Sequence, residues 1–310
     1  MSITAPFVDG RIGKAIDTAV APAYSLAALA ALIPNNLSSG ESINLDFLGA
    51  IPGFKKWQDK RQSSQFVPYA WSMKNEKFED SIVVPDEWLI NDKTGLVDMR
   101  IGQLVAKYAI WPGSLIASLI NASETATGFD GKAFFAADHV WGKSGTINNK
   151  VSVAAASGTT PTAQEFAEGI MSAYSQITGF LDDQGEPINE AITDLKVVVG
   201  NALSGTARQA IINNTIDTGA GTIDNPVKGL SASGVNITLV SSPRITLSSK
   251  FCLVNTSPNA CPFIFSENTA LRNRTIKDDR HDRDRWEHGL KAVGNAAYGM
   301  FTDAVLCEFT

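Results

Sequence analysis

Apolar residues recur every three or four positions between Val97 and Ile120, with polar and small residues between them. This spacing places the apolar side chains on one face and predicts a long amphipathic helix of about seven turns. Pro112 falls inside the pattern and is expected to bend the axis, because proline removes a backbone hydrogen bond. The predicted face consists of Val97, Ile101, Leu104, Val105, Tyr108, Leu115, Ile116, Leu119 and Ile120.

Upstream of this helix, apolar and polar residues alternate on both sides of the polar stretch 74–77. The two runs predict the strands of one long hairpin within residues 44–92. A ribbon of two strands is at best marginally stable alone in water, so it is expected to lie on its own body or on another subunit. The runs contain Phe66, Tyr69, Trp71 and Met73, then Phe78, Ile82 and Val84.

Helix and strand patterns alternate from 151 to 254 in an α/β manner. Thr162 and Glu165 form a capping-box pattern at the start of one helix. Short apolar runs predict strands at 195–199, 237–240 and 251–254, a helix at 206–212, and a return to a sheet at 263–265 and 304–306. The polar segment from Asn213 to Gly234 is interpreted as a long exposed loop.

The composition is that of a globular protein: 310 residues, 44% hydrophobic, with a net charge of −6. A mildly acidic chain argues against a nucleic-acid surface as its main role. The three cysteines form no Cys-x-x-Cys pair, so neither a disulfide framework nor a zinc site is indicated, and a reducing compartment is favoured. Asp17 and Pro22 interrupt the apolar run 15–33, which predicts a short helix rather than a membrane span.

The stretch IKDDRHDRDRWEHG, residues 276–289, holds two of the three histidines. In a helix, His281 and His288 would align with Asp284 as a two-histidine, one-carboxylate metal set. In a strand, arginines share the histidine face and no such set forms. Because basic and acidic residues are nearly balanced here, the favoured interpretation is a salt-bridged surface without a metal ion.

His139, the remaining histidine, follows Asp138 at the end of FDGKAFFAADH. No G-x-S-x-G, H-E-x-x-H, Walker or G-x-G-x-x-G pattern accompanies it, so catalysis has no identifiable nucleophile or base. The Asp138–His139 pair is interpreted as a structural hydrogen-bonding element.

Opposite charges mark the two ends of the predicted hairpin. Lys55, Lys56, Lys60 and Arg61 cluster at one end, and Glu76, Glu79, Asp80, Asp86 and Glu87 at the other. The ribbon is either an ordinary solvated surface or a device for head-to-tail docking of identical subunits.

Four stretches, in chain order, resemble the Mu-like prophage major head subunit family. Residues 47–61 (FLGAIPGFKKWQDKR) resemble its aromatic-Leu-Gly-x-aromatic-Pro…Lys-x-Trp…Arg stretch, and 69–92 resemble its next segment. Residues 129–135 with His139 match its Asp-Gly-x-x-Phe-Phe…His signature, and 297–301 resemble its Tyr-Gly-x-aromatic element. Two departures are Val140, where the family tends to have proline, and Phe301, where it tends to have tryptophan.

The resemblance implies an α+β subunit with the Hong Kong 97 phage capsid fold. Its parts would be an N-terminal arm (1–43), an extended hairpin loop or E-loop (44–92), a peripheral domain with a long spine helix (93–150 and 262–310) and an α/β axial domain (151–261). The residue pattern predicts elements in the same order.

The resemblance further implies a major capsid protein with no enzymatic activity and no cofactor. It would self-assemble into hexamers and pentamers of an icosahedral tailed-phage head, a virion assembled in the host bacterial cytoplasm that encloses double-stranded DNA without reading its sequence. No acidic coiled extension precedes the arm, so we expect a separate scaffolding protein. We also expect portal and decoration proteins as partners, and no membrane contact. Because the chain begins at Met1, we expect no cleavage of its N-terminus. The predicted inter-subunit contact residues are Lys55, Lys56, Trp57, Arg61, Tyr69, Trp71, Phe78 and Glu79.

Two other classes remain open at this point. One is a hydrolase that uses His139 or the group His281, Asp284 and His288. The other is a surface-layer or encapsulin-like shell, which shares the self-assembly but not the phage context.

Overall fold

The computed structural model describes residues 26–33, 42–48, 68–85, 95–218, 221–277 and 285–310. Within these ranges the chain forms a four-stranded sheet, a five-stranded sheet, a two-stranded ribbon, two short hairpins and four α-helices. The helices are α1 (Leu96–Ala122), α2 (Ala163–Thr178), α3 (Asn201–Ile212) and α4 (Pro226–Ala232). The strands are β1 (Ala30–Ile33), β2 (Ser42–Leu48), β3 (Pro68–Lys74), β4 (Glu76–Pro85), β5 (His139–Val140), β6 (Thr146–Ile147), β7 (Lys150–Val153), β8 (Asp194–Val199), β9 (Thr215–Asp217), β10 (Thr222–Asp224), β11 (Asn236–Ser241), β12 (Lys250–Asn255), β13 (Phe263–Lys277), β14 (Arg285–Tyr298) and β15 (Ala304–Phe309).

The long helix predicted from the apolar period is α1, which we call the spine helix. It has 27 residues and continues through Pro112. Leu104, Val105, Ile116 and Ile120 of the predicted face are buried. The helix packs on β14 and β4 of the four-stranded sheet, whose strand order is β1-β13-β14-β4.

Both strands of the predicted hairpin form, but each pairs with another strand rather than with the other one. β2 and β3 make an antiparallel ribbon in which Ser42 lies opposite Lys74 and Leu48 opposite Pro68. The sequence pattern predicts that β3 and β4 pair with each other across 74–77. They do not, because β4 pairs with β14 instead. Asn75 alone separates β3 from β4. Local alternation identifies both strands but does not specify their partners, and here the longer ladder with β14 prevails.

The five-stranded sheet, in the order β11-β8-β12-β15-β7, forms the α/β part of the molecule. Its predicted strands are confirmed, and so is the Thr162–Glu165 capping box at the start of α2. The core against α2 contains three fully buried rings, Phe166, Phe251 and Phe309. Their centroids lie 4.7 to 5.8 Å apart.

The prediction of one exposed loop over 213–234 is wrong. The segment contains the β9–β10 hairpin and helix α4. Asn225 caps α4 by accepting a hydrogen bond from the Val227 N–H, and its amide donates to the carbonyl of Ala210 in α3. Buried side chains of Ile216, Val227 and Leu230 hold the segment on the core. Helix α3 also begins earlier than predicted, at Asn201.

The division into arm, E-loop, peripheral and axial segments stays a prediction. β15, which lies within the range expected for the peripheral domain, pairs with β7 and β12 in the five-stranded sheet. In the part of the chain that the structure describes, no helix is both long and apolar enough to cross a membrane.

Candidate assembly interface

The two signature segments near residues 130 and 300 pack against each other. His139 is fully buried, and its Nδ1 lies 2.6 Å from Oδ2 of Asp130. Its ring stacks on Phe301, with centroids 4.0 Å apart and planes within 5°. Asp138 instead pairs with Lys132 at the surface, and this hydrogen bond holds the pKa of Asp138 below its ordinary value. His139 therefore has the structural role predicted for it, but its partner is Asp130 rather than Asp138.

Asn149 ties these segments together from within. Its buried side-chain amide donates to the carbonyls of Phe134 and Phe301, at 2.8 and 3.2 Å. Phe134 stacks on Tyr298 at 4.7 Å, and the Tyr298 hydroxyl donates to the Leu119 carbonyl at the end of the spine helix. The signature residues thus join the four-stranded sheet to α1 as one packed unit.

The backbone geometry explains why two positions of these signatures are glycine. Gly131 has φ of 75°, a conformation that other L-residues rarely adopt. A Cβ at Gly299 would overlap the carbonyl oxygen of Cys261, where the chain returns from β14. The Tyr-Gly-x-aromatic element therefore reflects a close approach of two backbone segments.

An ion-pair group lies where the spine helix meets the five-stranded sheet. Glu124 accepts from Lys150 at 2.7 Å and from Lys250 at 2.8 Å. Partial burial alone would raise the pKa of Glu124, but the two lysine ammonium groups outweigh it and lower the pKa. Lys250 also lies 3.2 Å from Glu308 in β15. The charges thus connect the end of α1 to three strands.

The candidate catalytic histidines do not form a reactive centre among the described residues. The Nε2 of His139 is buried and has no hydrogen-bond partner in the described part of the chain. His288 lies in strand β14, opposite Thr275 on one side and Ile82 on the other, so it lacks the helical conformation that the alternative metal set requires. His281 and Asp284 themselves lie outside the described residues.

The predicted contact residues divide between the ribbon and its surroundings. Tyr69 and Trp71 lie in β3, opposite Phe47 and Leu45 of β2. Trp71 is half-buried, and its Nε1 has no hydrogen-bond partner among the described residues. Met73 at the base of the ribbon is buried against Ala297. Four further predicted contact residues, Lys55, Lys56, Trp57 and Arg61, lie outside the described residues.

Phe78 and Glu79 lie in β4, beside a groove between the sheet and the spine helix. The Phe78 ring contacts Trp111 at 5.0 Å, and Trp111 also contacts Tyr108 and Phe265. The groove has a volume of about 210 Å³ and an apolar floor that includes Leu104. We call it the spine groove. It is lined by Phe78, Glu79, Asp80, Leu104, Lys107, Tyr108, Trp111, Leu290 and Ala292.

The rim of the spine groove is charged and exposed. Glu79 and Asp80 project from β4, and Lys107 of α1 lies 3.7 Å from Asp80. The Trp111 Nε1 is buried and has no acceptor among the described residues. Trp111 was absent from the predicted helix face, although its position one turn after Tyr108 was the signal that could have placed it there.

The comparisons with known proteins agree with this architecture. Residues 13–167 match the model of the Mu-like prophage major head subunit gpT family. The major capsid protein of Escherichia phage Mu is 28% identical over 102 residues, which cover 33% of each chain. The matched stretch thus spans about a third of that curated relative.

Solved shell proteins share the fold at low sequence identity. The procapsid of bacteriophage JBD30 gives a TM-score of 0.55 at 14% identity and covers 99% of this chain and 76% of that one. The capsid of cyanophage P-SCSP1u gives 0.57 at 12% identity, with 91% and 86% covered. A virus-like particle from Pyrococcus furiosus gives 0.57 at 10% identity, with 96% and 98% covered.

The fold is therefore the Hong Kong 97 capsid fold, an α+β architecture of shell-forming proteins rather than enzymes. The chain belongs to the Mu-like prophage major head subunit gpT family, whose model matches half of it. These findings give no support to a metallohydrolase. The family match likewise favours a phage head over a non-viral shell.

Proposed function

We propose that this head subunit assembles into hexamers and pentamers of an icosahedral tailed-phage shell that encloses double-stranded DNA. The observation that carries the mechanism is the β2–β3 ribbon. Among the described residues, each of its strands pairs only with the other. An isolated two-stranded ribbon is marginal in water, so a neighbouring subunit is the natural support for it.

The spine groove is the proposed receptor for that neighbour. Its acidic rim residues, Glu79 and Asp80, are complementary to Lys55, Lys56 and Arg61 in the segment that links β2 to β3. Complementary charge fixes register and orientation more than it adds affinity. Trp57 lies among those basic residues and would supply the buried aromatic anchor.

The remaining predicted contact residues take distinct roles in this proposal. Tyr69 and Trp71 would be covered by the neighbour, because the ribbon offers the Trp71 Nε1 no acceptor within the described residues. Phe78, packed on Trp111 of its own chain, would form part of the receiving surface rather than a free anchor. Each contact is moderate, but a subunit held at several contacts dissociates only when all of them release.

We further propose separate scaffolding, portal and decoration proteins, assembly in the host bacterial cytoplasm, and no membrane contact. A net charge of −6 favours enclosure of DNA without sequence-specific binding. Co-expression of the chain with and without a candidate scaffolding protein, followed by electron microscopy, tests the first of these partners. Closed shells of one size only in the presence of scaffold would support the proposal, and equally regular shells without it would contradict it.

Sedimentation velocity of the purified chain tests the shell itself. We expect capsomers or megadalton particles that dissociate at low protein concentration. A small species at every concentration, with no particles in micrographs, would overturn the proposed function.

A further inference from the structure

A second cavity, of about 450 Å³, lies where the chain crosses between the two large sheets. One wall is the last residue of β12 with the loop 256–260 that follows it, another is the loop 188–193 before β8, and the third is the turn that holds Met300 and Asp303. We call it the crossover cavity. Its volume falls within the ordinary range of small-molecule pockets.

The walls combine apolar and polar surface. Ile188, Ile192 and Met300 supply apolar side chains. Asn189 and Asn255 are buried and lie within hydrogen-bond distance of each other, with Nδ2 of Asn255 3.4 Å from Oδ1 of Asn189. Such a cavity suits a ligand with an aliphatic stem and a polar head.

Asp303 provides the charge of the cavity. Only 7% of the residue is exposed, and its Oδ2 accepts a hydrogen bond from the Cys261 N–H at 2.8 Å. The Asn255 side chain also hydrogen-bonds to it. Among the described residues that line the cavity, Asp303 is the only one with an ionisable side chain, so the described lining offers its carboxylate no cation.

Three further titratable residues lie on the cavity walls or next to them in the sequence. Glu190 and Asp194 lie on or directly after the loop that forms one wall. The Cys261 thiol, whose pKa is raised to about 11 by burial first and by Asp303 second, stays neutral. A buried carboxylate without a counter-charge is unfavourable, and an entering cation would relieve that cost.

We propose that the crossover cavity binds an organic cation, an alkylammonium or alkylguanidinium group, with Asp303 as its anionic partner. The chemistry is that of a lysine or arginine side chain from another subunit, or of a free alkylamine. The aliphatic stem lies against Ile188, Ile192 and Met300, and the cationic head pairs with the carboxylate. This site lies outside the spine groove and does not depend on the proposed docking there.

The test measures binding of n-butylammonium and n-butylguanidinium to the unassembled full-length chain by calorimetry. Uncharged 1-butanol is the ligand control. Asp303→Asn keeps the shape of the side chain and an oxygen that accepts from the Cys261 N–H, but removes the negative charge. Asp224→Asn, at an exposed position in β10, is the matched control. We expect saturable binding of both cations to the wild type and to the Asp224 variant, and at least tenfold weaker binding to Asp303→Asn.

The pH dependence provides an independent readout. Burial raises the pKa of Asp303 to about 6. Lowering the pH from 7.5 to 5 protonates most of the carboxylate and should weaken cation binding about tenfold. Equal binding to wild type and Asp303→Asn, no binding to the wild type, or equal binding of 1-butanol would each overturn the proposal.

A comparison with the assembled shell separates the two sources of the cation. Binding to the free chain but not to the shell indicates that a neighbour's basic side chain already fills the cavity. Binding to both indicates a free alkylamine as the natural ligand. Shell formation is scored separately by sedimentation, so failure of the cation site and failure of the proposed function are distinguishable.

Discussion

His139 and Phe301, 162 positions apart in the sequence, lie face to face at 4.0 Å in the interior of the subunit. Asp130 holds the histidine at the edge of its ring, with Oδ2 2.6 Å from Nδ1. This stack joins the Asp-Gly-x-x-Phe-Phe…His segment to the Tyr-Gly-x-aromatic segment. The two motifs are thus halves of one packing arrangement.

Replacement of Phe301 by alanine should strongly destabilise the subunit. The ring is 2% exposed and contacts both His139 and Phe129. Removal of a buried phenylalanine typically costs about 3–5 kcal/mol in the free energy of unfolding. Denaturant unfolding of the unassembled chain measures the loss, with Val140→Ala, at an exposed position, as the control. A loss below about 1 kcal/mol would show that the stack is not a structural centre.

Gly299→Ala should also destabilise the fold, for a steric reason. The added methyl would meet the backbone carbonyl of Cys261, which cannot move without shifting the start of β13. We expect a loss of at least about 2 kcal/mol, in the range of overpacked cores. Gly229→Ala in α4 is the matched control, because no atom lies within 4 Å of a Cβ there. Equal thermal stability of the two variants would contradict this account of the signature glycine.

The stability of the subunit should depend on pH through Asp303. Its pKa is about 6 in the fold, against 3.8 ordinarily, because burial disfavours the charged carboxylate. The folded state therefore binds a proton more readily than the unfolded chain. The resulting stabilisation is fully present below pH 4, is lost as the pH rises through 6, and amounts to at most about 3 kcal/mol.

Asp303→Asn should remove this pH dependence. We expect the variant to gain stability relative to wild type at pH 7.5 and to differ little from it at pH 4. Denaturant unfolding at both pH values gives the two differences. A constant difference between the proteins across this range would show that the carboxylate does not titrate as described.

A charge exchange should test the proposed docking of one subunit on the next. Lys55→Glu with Lys56→Glu should reduce assembly by at least tenfold, and so should Glu79→Lys with Asp80→Lys, because each places like charges together. The four changes combined should restore much of the loss. Assembly is measured by light scattering and sedimentation, with Lys143→Glu, at an exposed position, as the control. Failure of the combined variant to recover, with folding intact, would argue against this pairing.

The sequence pattern could predict the elements that have a strong local period. The spine helix follows from its apolar face, and the start of α2 follows from Thr162 and Glu165, whose capping box is local. The sequence pattern predicts a loop where helix α4 forms, although Asn225 followed by Pro226 is a good signal for a helix start. The loop prediction rests on the Gly- and Thr-rich residues that flank this helix start.

Strand partners and side-chain pairs depend on contacts that no local pattern contains. β3 and β4 are separated only by Asn75, yet β4 pairs with β14, about 200 residues later. The expected partner of His139 is its neighbour Asp138, whereas the observed partner is Asp130, nine residues earlier in the chain. The spine groove depends on Phe78, Tyr108 and Trp111 meeting between a strand and a helix, which the separate periodicities of those elements do not show.

Electron cryomicroscopy of the assembled particle tests the central claim most directly, because it shows which chain supports the β2–β3 ribbon. The account predicts that the ribbon and the segment 49–67 lie on a second copy, with Trp57 in or beside that copy's spine groove. A particle in which residues 42–74 contact only their own chain would contradict it.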